Sequence, residues 1–188
     1  MAAQLGEGIP HFTRQPVFGE EIDTASVSRA RAIALVFLRH AGSAITRRTC
    51  MDLHLIVPEL DLADVLLVAL MEGDGEAVRD FVPRYHLKYP VVHDETGELF
   101  EAFSVGRDRM LRRTLLGLRP SMLRSYAEAL QSGRGLNQGP IDRLGAALVV
   151  GVGGTVAWRW DAERTTDMLD VEQLRAAALA AAPRATPA

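Results

Sequence analysis

The chain has 188 residues, 48% of them apolar and 24% charged, with a formal net charge of -3. That is enough for one buried core but short for two domains, and it argues against disorder and against the concentrated positive surface a nucleic-acid partner needs. The longest apolar stretches, Ala32 to Leu38 and Val65 to Met71, fall well short of the roughly 20 residues that cross a bilayer, so no membrane partner is expected.

Residues 1–28 hold Gly, Pro and mixed charge without sustained periodicity and read as an irregular lead-in. The opening residues lack a basic region followed by an apolar run, so no secretory leader is read there and a cytoplasmic location is expected. The unbroken apolar run Ala32 to Leu38 has strand length and no polar face, which predicts a central strand buried on both sides. Gly42 and Ser43 follow. From Ala44 to Val57, the residues Thr46, Cys50, Leu53 and Val57 fall on one helical stripe, with Ser43 as N-cap and Pro58 expected to end the helix. Asp64 to Leu70 repeats the buried-strand pattern, Gly73 to Gly75 turns the chain, and Glu76 to Tyr85 is a second helix. Tyr89 to Val92 is extended, because Pro90 bars its predecessor from the helical region, and Leu99 to Phe103 is a short helix.

From Arg107 to Arg124, six arginines and one aspartate are interrupted by Gly117 and Pro120, which predicts two short amphipathic helices. Their arginines read as a solvated face, with Met110, Leu111, Leu115 and Met122 covering a site or a homodimer contact. A loop from Gly133 to Pro140 completes this insert, spanning residues 107–140. Ala146 to Gly151 and Thr155 to Trp160 flank a glycine turn as a hairpin, with Trp158 and Trp160 on one face. Val171 to Ala182 is the terminal helix. Strands joined by helical crossovers, then a hairpin and a helix, predict one α/β domain over residues 29–183, with a central mixed sheet and helices on both faces.

The junction Leu35-Val36-Phe37-Leu38-Arg39-His40-Ala41-Gly42-Ser43-Ala44-Ile45-Thr46-Arg47-Arg48 resembles the peroxiredoxin-like branch of the alkyl hydroperoxide reductase and thiol-specific antioxidant superfamily. Tyr89 to Val105 and Leu144 to Val150 are similar to later passages of that family, in the same order. The resemblance implies a thioredoxin-like three-layer fold. It also implies a redox pair at the start of the first long helix, yet those two positions are Ser43 and Thr46, and the position facing them, where thioredoxins carry a cis-proline, is Gly145.

Cys50 is the only cysteine, so an internal disulfide is excluded. It stands seven residues past Ser43, about 10 Å along the axis, where the helix dipole no longer favours a thiolate. It reads either as a small core hydrophobe or as a redox residue dependent on an external thiol. The helix start itself remains suited to a carboxylate, phosphate or developing oxyanion, through Ser43, Arg47, Arg48 and the free amides of the first turn, with Gly145 opposite. His40 is a candidate acid or base, and the hydroxyls of Ser43 and Thr46 share a helical face. The bland alternative makes Ser43 and Thr46 simple helix terminators and His40 a packed loop residue. His11, His54, His86 and His93 lack metal-ligand spacing, so neither a metal nor another cofactor is expected.

The function expected from these residues is a non-redox enzyme acting on a small organic substrate by proton transfer, rearrangement or cyclisation, with specialised-metabolite biosynthesis as its setting. Two alternatives stay open. One is a thiol-dependent peroxidase or reductase using Cys50, and the other is a catalytically silent binding protein.

Overall fold

The computed structural model describes residues 3–109 and 139–183. The paired helices expected in the insert and most of its loop lie outside them.

Strand β1 (Thr13–Arg14) pairs antiparallel with β2 (Ile22–Asp23), and helix α1 (Thr24–Ala30) follows. The lead-in is therefore more ordered than its composition suggested. Its elements are too short to show a period, and tertiary contacts hold them. The backbones of Phe12 and Thr24 are bonded to each other, the Phe12 ring meets Phe103 edge-on at 6.0 Å, and Ala3, Phe12 and Ile22 are buried.

β3 (Ala32–Leu38) is buried at all seven residues, as the apolar run predicted. It pairs in parallel with β4 (Val65–Glu72), which pairs in parallel with β5 (Val91–Asp94). On its other side, β3 pairs antiparallel with β6 (Ala146–Val150), the inner strand of a hairpin completed by β7 (Val156–Asp161). The sheet order is β5-β4-β3-β6-β7. Alternation along β3 divides the core. Ala32, Ala34, Val36 and Leu38 face α2 (Ala44–Leu62), α3 (Gly75–Arg84) and α5 (Val171–Ala181), whereas Ile33, Leu35 and Phe37 face α4 (Glu98–Ala102) and the lead-in. This is the three-layer, thioredoxin-like α/β architecture.

One boundary differs instructively. Pro58 does not stop α2, which runs four residues further to Leu62. A proline inside a helix costs about 3 kcal/mol. Burial of Ile56, Val57 and Leu60, each about 1.5–3 kcal/mol, outweighs it. The carboxyl ends of β3, β4 and β5 and the start of β6 lie along one edge of the sheet, which in open α/β folds is where ligands are received.

Candidate functional site

β3 ends at Leu38, and the chain turns through Arg39 to Gly42 before entering α2. The turn is closed by the Ser43 amide, which donates to the His40 carbonyl at 3.0 Å. Ser43 has the extended backbone of an N-cap (φ -71, ψ 130), and its Oγ accepts the Thr46 amide at 3.4 Å. Arg39 ties the turn to two distant segments, donating to the carbonyls of Ile141 (2.5 Å) and Thr165 (3.1 Å), with one Nη 3.5 Å from Ser43 Oγ.

Beside this helix start lies a small, partly open pocket whose walls include Arg39, Thr46, Thr49, Gly145, Trp160 and Arg164. Its floor is the end of β3 and the start of β6. A methyl on Gly145 would stand 3.4 Å from the Phe37 carbonyl and 3.7 Å from the Trp160 ring, so glycine keeps this space open. Thr46 is 1% exposed, and its Oγ1 has no hydrogen-bond partner among the described residues. A buried hydroxyl left unpaired costs about 1–3 kcal/mol, and such a group on a residue that lines a pocket is a candidate for completion by a ligand. Two arginines and the helix's positive end bias the pocket toward a negatively charged or oxygen-rich ligand, Asp167 on the rim being the opposing charge.

The structure brings Thr46 and Gly145 together on this pocket, but not the other residues singled out in the sequence. Ser43 is buried and spends its oxygen as the cap. Arg47 donates to the Gly42 carbonyl, and Arg48 pairs with Asp52 on the surface at 2.9 Å. His40 is 5% exposed and is not a pocket wall; a side chain at Gly139 would collide with its Cβ, and its Nδ1 has no partner among the described residues. Burial, reinforced by the adjacent Arg39 charge, lowers its imidazole to about 4, so at neutral pH it is an uncharged and weak base. Cys50 is completely buried one turn below Thr46, and its carbonyl accepts from the Tyr89 hydroxyl. Burial pushes its thiol up to about 11. A thiol so protonated is a poor nucleophile. No group of three or more His, Cys, Asp and Glu arranged for a metal occurs among the described residues.

Thr49, Trp160 and Arg164 are pocket residues that sequence reading did not find, since they come from a later turn of α2, from β7 and from the loop after it. A second polar cluster on the same sheet edge was also missed. Glu72, the last residue of β4, receives Arg143 Nε at 2.5 Å and Nη2 at 2.9 Å, and both side chains are buried. Arg143 also donates to Glu101 and to the Val105 carbonyl, and its guanidinium lies 5.2 Å from the centre of the Phe100 ring. The only local traces were a charge closing one buried run, Glu72 at the end of β4, and a charge three residues ahead of the next, Arg143 before β6.

Residues 5–124, more than half of the chain, match the model of the AhpC/TSA family. No curated protein matches the sequence. Among solved structures, a cysteine-to-serine mutant of PrxQ from Xylella fastidiosa is similar at TM-score 0.69 and 10% identity, over 94% of this chain and 95% of that one. The peroxidoxin BcpB of Mycobacterium tuberculosis is similar at TM-score 0.66 and 13% identity, over 94% and 96%. A secreted disulfide oxidoreductase of Mycobacterium tuberculosis, homologous to DsbE of E. coli, is similar at 0.57 and 15%, over 90% and 95%. At these identities the likeness is one of fold.

Proposed function

The chain belongs to the AhpC/TSA family, and from that premise we propose that it is an enzyme acting on a small, electron-rich molecule held against the first turn of α2, without using a thiol. The carrying observation is the Thr46 hydroxyl, buried and without a partner among the described residues, on a residue that lines the pocket at a position where the family resemblance implies cysteine. In this reading Thr46 and the helix amides receive a carboxylate or developing oxyanion, Arg39 and Arg164 neutralise it, and the Trp160 ring covers the ligand's apolar part. Rearrangement, cyclisation or proton transfer in specialised metabolism would draw on oxyanion stabilisation, with a proton carrier other than His40, whose low basicity suits it poorly.

Family membership favours a second reading, because the structural relatives named above include a peroxidoxin and a disulfide oxidoreductase. Here the Cys50 thiolate would attack a peroxide oxygen, forming a sulfenic acid and releasing an alcohol, and two external thiols would then return the cysteine as water leaves. That route requires the first turns of α2 to open, since Cys50 is completely buried.

One pair of variants separates the two. Chemical-shift titration with acetate, benzoate and inorganic phosphate is expected to move the Thr46 and Gly145 amides in the wild type and in Cys50→Ser, but not in Thr46→Val. Peroxide consumption with dithiothreitol is expected to be negligible in all three. Thiol-dependent turnover in the wild type that Cys50→Ser abolishes would overturn the thiol-free reading in favour of the second.

A further inference from the structure

Helix α2 buries one stripe under the sheet and leaves another, equally regular, in solvent. Met51 is 60% exposed, Leu55 77% and Leu62 91%, and Pro58 is exposed between the last two. Steps of four, three and four residues set these side chains in one nearly straight ridge, about 16 Å long at 1.5 Å per residue. Large apolar side chains scattered singly need no explanation, but a contiguous ridge marks a contact surface.

The charges beside the ridge indicate what covers it. At 100° per residue, Arg48 and Glu59 flank it on one side and Arg47 and Asp61 on the other, with both arginines at the amino-terminal end and both acids at the carboxyl-terminal end. When two such helices pack antiparallel about a two-fold axis, each flank meets the same flank of its mate. Arg48 then faces the partner's Glu59 and Arg47 faces the partner's Asp61, and both pairs share a midpoint beside His54. A parallel arrangement would set like charges together. Within one chain Arg48 already contacts Asp52 and Glu59 contacts Arg175, each at 2.9 Å. These are exposed pairs of small individual worth, so exchanging partners costs little.

We infer that the outer face of α2 is the docking surface for a second copy of this chain, packed antiparallel about a two-fold axis near His54. The inference is independent of the chemistry proposed for the pocket. The ridge is small for a specific interface, so association is weak and concentration-dependent.

Sedimentation equilibrium of the purified chain from about 5 to about 500 µM tests it, over the range in which small interfaces associate. The wild type is expected to shift from monomer to dimer. Leu55→Arg, at an exposed position that leaves the fold intact, is expected to stay monomeric with an unchanged melting temperature. Arg48→Glu should weaken the dimer about tenfold or more, about 1.4 kcal/mol, and adding Glu59→Arg to the same chain should restore it. A wild type that remains monomeric, a dimer untouched by Leu55→Arg, or a charge swap that fails to restore association would each overturn the inference.

Discussion

Two polar clusters share the carboxyl edge of the parallel strands and are built by opposite rules. Around Arg143 each donor is matched: Glu72 takes two of its N–H groups, Glu101 and the Val105 carbonyl take the rest, and none of the cluster's buried side-chain atoms lacks a partner among the described residues. Around the start of α2, Thr46 Oγ1 and His40 Nδ1 are buried with none. The first arrangement holds β4, α4 and β6 in register and leaves nothing for a ligand to do. The second carries an unmet demand beside an open pocket. Satisfaction of buried polar atoms therefore separates scaffold from candidate site within one strip of the molecule, where burial alone does not.

That contrast can be attacked at its strongest point first. Arg143→Ala strands the Glu72 carboxylate with Arg107, 3.5 Å away, as its one remaining opposing charge among the described residues. Unfolding in urea should show a loss of about 3 kcal/mol or more. A surface-like loss of a few tenths would show that the cluster is not a scaffold. Replacing Arg143 and Glu72 together by Met should recover most of the loss, since the penalty comes from the orphaned charge.

Next in size is an effect of pH. The unfolded chain protonates His40 near 6.5, but the folded chain does so only near 4, so folding is fully favoured above 6.5 and weakens as pH falls through that window. Up to about 3 kcal/mol is at stake across it. Chemical denaturation at intervals between pH 7 and 4 should give a slope that His40→Asn flattens. An equal slope in both proteins would mean that His40 accepts a proton while folded.

Gly97→Ala returns to the scaffold. Gly97 has φ +78, and an added Cβ would collide with Glu72 Oε1 and stand 2.9 Å from Arg143 Nη2. Left-handed strain and a disturbed ion pair should together cost about 2 kcal/mol, read as a lowered urea midpoint. The smallest change belongs to the candidate site. Thr46→Val keeps the shape and removes only the unpaired hydroxyl, so stability should move by less than about 0.5 kcal/mol, or rise. A loss of a kilocalorie or more would place Thr46 with the scaffold and sharpen the line between the clusters differently.

The sequence disclosed the scaffold's strands better than its polar joints. Ala32 to Leu38 announced a central strand because seven consecutive apolar residues have no other use at that length, and Ser43 announced the helix start because a cap is a local event. Glu72 and Arg143 meet across 71 positions of chain, and such a pairing leaves no periodic trace. The same holds for the pocket. Thr46 was visible from its place in the first turn, whereas Trp160 and Arg164 reach it only because β7 returns beside β6. His40 was read two ways, as an acid or base and as a packed loop residue, because closeness in sequence to Ser43 says nothing of its burial, which with the Arg39 charge lowers its basicity.

The depth of Cys50 makes the chain its own gauge of unfolding. A maleimide or a disulfide reagent offered to the native protein finds no sulfur within reach, so each label taken up records a molecule that has opened α2. Timed labelling would then count excursions too rare for optical melts, with no probe added and no background from other thiols to subtract.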